Sequence, residues 1–388
     1  MNRNDRYIIE LSRAAIFDDV PAQPDAQIDW EYIYKKSISQ NITGLLYTSV
    51  VKIAKEQQPD AKLMHDWQKN MLGTIAVNAN RYNEFLKMSK IINDKKIKMV
   101  GLKGCLLREL YPVPELRTMG DFDVLVSKAS IDATKTIFTD NEYNVIKDSY
   151  GIVCENKKAY WEVFYGLDEE FAFDSVMYTE KVFNSAEHNG TIYCPEITYF
   201  LAHVIIHSAR HYMEKGAGIR NICDIALVVD KYKEKIDFKL LENLCIEQNY
   251  RNIYGYIINS INKYYKVDVS GIDIEDRNCD KFLEYALLNG VYGKHGNSLL
   301  WQVAKDENEN NRGLKRLLFP SVESLKNRYK YLNTAPILLP IAWIHRLFSA
   351  LFKWKYSFKQ MKGDMKEAFE FSDERIKWMK DLGLQDKH

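Results

Sequence analysis

An α+β fold, with a small mixed sheet and its own helices embedded in a largely helical protein, is predicted by three observations. On both sides of residues 95–180, apolar residues recur at three- and four-residue intervals, the period of an amphipathic helix. Between those flanks lie short runs rich in β-branched and aromatic residues, of strand length rather than helix length. Glycine (18) and proline (9) are sparse among 388 residues, which disfavours a turn-rich all-β architecture.

Element by element, the first ninety residues read as helix, most clearly in MHDWQKNMLGTIAVNANRYNEFLKMSKIIND (64–94). A turn at Asn93-Asp94 leads into IKMVGL, a strand, and CLLRELY is then a short helix. Pro112 and Pro114 make YPVPELRTMG an irregular connection. DFDVLV (121–126) is the second strand, and SIDATKTIFTDNEY forms a helix with Ser130 at its cap. NVIKDS, GIVCEN and AYWEVFYGL are three further strands.

From Glu196 onward the helical period returns through ITYFLAHVIIHSARHYM, IRNICDIALVVDKYK, FKLLENLCIEQ, IYGYIINSINKYY and DRNCDKFLEYALLNGVYG. KDENENNRG (305–313) reads as a charged exposed loop, and the tail from Trp343 to Gly383 contains amphipathic helix. The expected organisation is an N-terminal helical segment packing on the core (1–92), an α/β core (93–185) and a C-terminal helical domain (186–388).

Composition narrows the function classes. The net charge of +1 supplies no global field to gather nucleic acid. Six cysteines without a CxxC pair read as buried thiols in a reducing compartment, not a disulfide frame. The N-terminus lacks a signal-like apolar run, and PILLPIAWIHRLFSALF (336–352) is too short and too polar to span a bilayer. A cytoplasmic chain without a transmembrane segment is expected. The basic, aromatic stretch FSALFKWKYSFKQMKG is compatible with peripheral membrane contact or RNA, with packing on the protein as the default.

The chemistry concentrates in GLKGCLLRELYPVPELRTMGDFDVLV (101–126). Side chains two apart on a strand share a face, so Asp121 and Asp123 point together. Two carboxylates that close repel each other, and a divalent cation relieves the cost; hard oxygen ligands suit Mg²⁺. The plainer alternative has Asp121 capping the strand and Asp123 paired with a basic side chain. A third carboxylate usually completes such a site. Glu162, mid-strand among aromatics, is the first candidate and Asp174 in FAFDSV the second.

Upstream, Gly104 opens a helix directly after a strand, where free amides and the helix end attract a phosphate, and Lys103 adds a point charge. Arg117 is placed either on a triphosphate or on the acidic pair. His203, His207 and His211 lie four apart on one helical face, but without a third ligand or an HExxH pattern they read as packed imidazoles and not zinc ligands. Arg220 and Asp224, again four apart, read either as a helical ion pair or as cleft residues.

Strand, glycine turn, helix, then a strand with D-x-D resembles the nucleotidyltransferase superfamily of DNA polymerase beta. More narrowly, Lys103-Gly104, Tyr111-Pro112, Arg117, Asp121 and Asp123 resemble the uncharacterised bacterial nucleotidyltransferase family. That family continues with Glu-x-His-x-x-Leu, matched here at Glu162 and Leu167, with Phe164 in the histidine's place. A His-rich helix followed by Gly-Ile-Arg and an aspartate is similar at His207, His211, Gly218, Arg220 and Asp224. The seventeen positions from Gly104 to Asp121 exceed the usual superfamily spacing but suit this branch.

The resemblance implies a nucleotidyltransferase fold and an Mg²⁺-dependent, NTP-binding enzyme that moves a nucleoside monophosphate to an acceptor hydroxyl and releases pyrophosphate. It implies two Mg²⁺ ions held by Asp121 and Asp123, with Glu162 completing one site and helping to deprotonate the acceptor. Lys103 and Gly104 would cradle phosphates, and Arg117, His207, His211, Arg220 and Asp224 would face the nucleotide. The block 93–185 would be the catalytic core. A non-catalytic nucleotide-binding module and a toxin-like enzyme modifying tRNA are the alternatives. The acceptor, whether small molecule, protein or RNA, is not written in these motifs.

Overall fold

The computed structural model describes residues 1–24, 28–147, 150–167, 175–214, 217–269, 272, 277–290, 321–325, 329–345 and 377–384. It is an α+β structure whose seven strands share one mixed sheet. The strands are β1 (Met99–Gly101), β2 (Phe122–Val126), β3 (Asn144–Lys147), β4 (Gly151–Glu155), β5 (Tyr160–Phe164), β6 (Glu187–Asn189) and β7 (Ile192–Cys194). Their spatial order is β3-β4-β5-β2-β1-β7-β6. β2 runs antiparallel to β1 and parallel to β5, so it sits near the middle with a neighbour on each side.

Among the described residues up to 290, the helices are α1 (Arg3–Ile16), α2 (Trp30–Ser39), α3 (Thr43–Val50), α4 (Ala61–Asp94), α5 (Gly104–Leu107), α6 (Ile131–Asp140), α7 (Ser175–Asn184), α8 (Ile197–Glu214), α9 (Ile219–Tyr232), α10 (Phe238–Glu247), α11 (Arg251–Tyr265) and α12 (Cys279–Asn289). α4 is the longest, at 34 residues; Asp60 caps it by accepting from the amides of Lys62 and Leu63. Its C-terminal half packs Phe85, Met88 and Ile92 on one sheet face, together with Phe138 of α6. Trp161 lies at the centre of that layer, fully buried, with the rings of Phe85, Phe122 and Phe138 about it at centroid distances of 4.9–5.3 Å.

β2 and β5 follow strict alternation. Phe122, Val124, Trp161 and Val163 point into this core, so Asp123 and Glu162 must face the other way. The apolar face of the sheet is therefore what aims the acids.

Several expectations meet corrections of detail. The helix after Lys103 is a single four-residue turn followed by 3₁₀ turns at Arg108–Leu110 and Pro114–Leu116, because the prolines cut short any longer helix. Ser130 makes no side-chain cap; its hydroxyl pairs with that of Ser127 at 2.7 Å. The β6–β7 hairpin was not anticipated, although Asn189-Gly190, with Gly190 at φ +67°, is a tight-turn signal. β7 then pairs in parallel with β1 at Val100 and Tyr193 and extends the sheet on that side.

The six cysteines form no disulfide; five are buried and Cys194 is half-buried. Among the described residues no helix is long and apolar enough to cross a membrane. The charged stretch 305–313 and most of the tail lie outside the described residues. The chain divides into two compact units, Met1–Val291 and Tyr292–His388. The second has its own small core of Leu325, Tyr329, Leu332 and Ala342.

Candidate active site

The parallel register of β2 and β5 sets Asp123 directly beside Glu162, and Asp121 stands at the head of β2. Oxygen atoms of Asp121, Asp123 and Glu162 all lie within 4.8 Å of one another. Among the described residues this is the one cluster of three or more side chains able to hold a metal ion; His203, His207 and His211 do not form another. Asp174, the second candidate for the third acid, lies outside the described residues.

The acids strain against one another. Asp123 and then burial push the Asp121 carboxyl above its ordinary range, against the pull of Lys103, Arg220 and His207. Burial first and Asp123 second lift Glu162 to about 7. A site that resists its own negative charge is one that a divalent cation would stabilise. The oxygen-only donor set and its close grouping fit Mg²⁺.

Lys103 provides the cation that the protein itself brings to the cluster. Its ammonium lies 2.9 Å from Asp123 Oδ1, in a pair whose side chains are only 11% and 6% exposed. Pairing of Asp123 with a basic side chain, weighed as the plainer reading of the sequence, is thus present alongside the triad. Lys103 Nζ also lies 3.3 Å from His207 Nδ1, and His207 Nε2 is 3.0 Å from His211 Nε2. Helix α8 therefore lays two imidazoles in line with the lysine, while His203, one turn earlier, is buried.

The long connection from Gly104 to Asp121 is fastened from two helices. From α4, Asn78 donates to the Glu115 carbonyl at 2.7 Å and Arg81 to the Met119 carbonyl at 2.6 Å. From α9, Arg220 donates to the Thr118 carbonyl at 2.8 Å. Arg108 is buried against the Tyr82 ring and reaches Glu115 at 3.1 Å. Spacing that looks long in sequence is thus a rigid strap.

Arg117 and Asp224 form its main clasp. Arg117 Nε and Nη2 reach the two Asp224 oxygens at 3.1 and 2.8 Å, and the Tyr111 hydroxyl donates to Asp224 Oδ1 at 2.8 Å. Burial opposes the Arg117 charge, but the Asp224 carboxylate outweighs it and raises the guanidinium pKa. Instead of pointing at the acidic pair, Arg117 spends both arms of its fork on Asp224. Nor do Arg220 and Asp224 pair with each other along α9; each holds a different part of the strap.

Gly104 gains a steric reason from the same clasp. A Cβ there would collide with Arg117 Nη1 and stand 2.8 Å from Met119 Sδ. Because the guanidinium is tied at both ends of its fork, it cannot step aside. Gly104→Ala is expected to cost about 2 kcal/mol, in line with other overpacking changes. Urea unfolding would read this, and an unchanged midpoint would show that Arg117 is freer than its contacts indicate.

Beside Glu162 lies a small pocket of about 90 Å³ along β4 and β5, lined in part by Lys103, Tyr150, Glu162, Phe164, His207 and Arg210. Arg210 was passed over in the sequence, and Tyr111, quoted as part of Tyr111-Pro112, was given no role there. For Arg210 a signal existed: three residues after His207 on one helix, it shares that residue's face.

Among solved structures, the chain is similar to the solution structure of the antibiotic-resistance factor ANT(2'')-Ia, at 13% identity over 46% of this chain and 96% of that one. The TM-score of 0.33 is too low to argue from. No curated protein matches the chain. The model of the uncharacterised nucleotidyltransferase family matches residues 26–266, a span that holds the strap, the three acids and helices α8 and α9, and the chain belongs to that family.

Proposed function

We propose that the protein transfers a nucleoside monophosphate from an NTP to an acceptor hydroxyl and releases pyrophosphate. The observation that carries this reading is the triad: three carboxylates within 4.8 Å, set on the sheet face opposite the core, with Lys103 at their edge. Asp121 and Asp123 would hold two divalent ions of the Mg²⁺ type and Glu162 would share one. When bound, such ions supply charge neutralisation for the triphosphate and for the attacking and leaving oxygens.

The remaining work falls to the protein's own groups. Lys103 would offer its ammonium to the phosphate oxygens from its place at the edge of the acids. Its link to His207 keeps it at that edge of the site. Glu162, beside Asp123 on the neighbouring strand, accepts the proton of the acceptor hydroxyl. His207 and His211 face the nucleotide from α8, whereas Arg117, Asp224 and Arg220 act by holding the strap. The core of the enzyme is read as 93–185, closed on one side by α8 and α9.

Pyrophosphate release from a mixture of the four NTPs with a deproteinised cell extract as the source of acceptor, with Mg²⁺ and with EDTA, tests the proposal. Metal-dependent release supports it. Calorimetric NTP binding without release would convert the reading to a non-catalytic nucleotide-binding module.

The raised Glu162 carboxyl also gives a pH dependence. Its folded pKa, about 7, lies above the ordinary 4.5, so the folded chain keeps a proton that the unfolded chain has lost. That contribution to stability is complete below about 4.5 and vanishes as pH rises through about 7. Metal-free protein is expected to lose Tm between pH 5 and pH 7.5, less so in Glu162→Gln, and Mg²⁺ should restore more at pH 7.5 than at pH 5. A Glu162→Gln chain with the same slope as the parent would contradict this.

A further inference from the structure

Lys103, His207 and His211 form a chain of hydrogen bonds whose donors and acceptors follow from its lysine end. An ammonium has N–H donors and no acceptor, and the Asp123 carboxylate at 2.9 Å favours the charged lysine. In the contact of Lys103 Nζ with His207 Nδ1, at 3.3 Å, the lysine therefore donates and the imidazole accepts. A ring that accepts at Nδ1 carries its one proton on Nε2. That proton meets His211 Nε2, 3.0 Å away, which must accept in turn, so His211 holds its own proton on Nδ1.

The rings have little room to exchange these roles. His203, His207 and His211 stand four apart on α8, and Ile205, Ile206 and Ala209 between them are fully buried, which fixes the helix. The buried His203 ring lies nearly parallel to that of His207, at 20° and a centroid distance of 6.5 Å. The His211 ring meets His207 edge-on, at 76° and 4.4 Å. The tautomer matters at the lysine end. With a proton on Nδ1, His207 would present an N–H to the ammonium, donor against donor, and Lys103 would lose this acceptor. A doubly protonated His207 would add like charge at the same short distance. Only the neutral ring protonated at Nε2 ties the lysine down.

We infer that His211 is a positioning residue: by accepting the Nε2 proton of His207, it fixes the tautomer and ring orientation with which His207 holds the Lys103 ammonium beside the acids. The inference deepens the nucleotidyl-transfer reading above and rests on it, since there Lys103 is held for the phosphate chain of the NTP. His211 acts through His207 and not on the substrate. Its loss lets the His207 ring take either tautomer and releases the lysine from a single position. Because the position needs only an acceptor, an amide oxygen can replace His211, whereas a ring of similar size without one cannot.

Proton–nitrogen NMR correlation spectra of the full chain with isotope-labelled histidines, at neutral pH and without NTP or metal, read the tautomers directly. Signals are identified by their loss in His207→Gln and His211→Gln. In the parent, His207 should be protonated at Nε2 alone and His211 at Nδ1 alone. His207 should become a mixture of tautomers in His211→Phe and keep the parent pattern in His211→Gln. Pyrophosphate release, with Mg²⁺ and a deproteinised cell extract, supplies the second readout. His211→Phe should raise the KM for NTP about 3- to 10-fold, the range of one neutral hydrogen bond, and His211→Gln should restore most of it. A parent His207 protonated at Nδ1 or at both nitrogens would overturn the inference. So would an unmixed His207 in His211→Phe, which is what a merely structural role predicts, or a KM for NTP unchanged in that variant. A parent chain that releases no pyrophosphate would instead overturn the transfer reading, and the spectra would still decide whether His211 fixes His207 on Lys103.

Discussion

Asp123→Asn is expected to lower kcat by about a thousandfold or more, about 4 kcal/mol of barrier. The carboxylate is buried at the centre of the triad, against Glu162 in the strand register and against Lys103 at 2.9 Å. An amide keeps the shape but holds no second oxygen anion for a metal. It also leaves the Lys103 ammonium buried without its counter-charge, and removing one partner of such a pair costs about 3–5 kcal/mol. Loss of activity must therefore be separated from loss of fold. Adding Lys103→Met to Asp123→Asn removes the stranded charge, so Tm should recover much of its fall while turnover stays absent. A single variant that still turns over near the parent rate would remove the triad from the mechanism.

Asp224→Asn is expected to have the largest effect on stability. Its carboxylate receives both arms of Arg117 and the hydroxyl of Tyr111 in a site with almost no solvent exposure. Breaking that clasp strands a guanidinium in the interior, for about 3–5 kcal/mol and a fall in Tm of roughly 10 °C. The double replacement Arg117→Met with Asp224→Leu removes both charges and should lose much less, because apolar pairs of similar volume often substitute well for buried ions. The contrast distinguishes the clasp from a nucleotide contact. Had Arg117 and Asp224 served the triphosphate, Asp224→Asn would leave Tm nearly unchanged and raise the KM for NTP.

Much of the site was legible because its signals are short-range. Period-two alternation is enough to put Asp121 and Asp123 on one face, and a charged residue among aromatics in AYWEVFY marks Glu162. That Glu162 stands directly beside Asp123 needs the parallel pairing of β2 with β5, a contact across 39 positions that no local pattern encodes. The same limit applies to Arg117 and Asp224. Each is visible as a charged residue near the site, but their mutual pairing, 107 positions apart, is not.

Gly104 carries a second constraint beside the one its sequence position suggests. Its position after a strand and before a helix points to a phosphate turn, and the space of its missing Cβ is taken by the Arg117 guanidinium. The β6–β7 hairpin escaped because its strands are three residues long and β6 is exposed throughout, which leaves no hydrophobic period to read. Arg210 escaped because the three histidines around it draw the eye to the four-residue repeat and away from its three-residue neighbour.

Following the two ends of the triphosphate tests the central claim most directly. With NTPs labelled in turn at the α- and γ-phosphates, Mg²⁺ and a deproteinised cell extract as the source of acceptor, the α label should enter the product and the γ label should leave as pyrophosphate. Both transfers should cease in Asp123→Asn. Label from the γ-phosphate in the product, or its release as orthophosphate, would mean that these acids serve phosphoryl transfer or hydrolysis and would contradict nucleotidyl transfer.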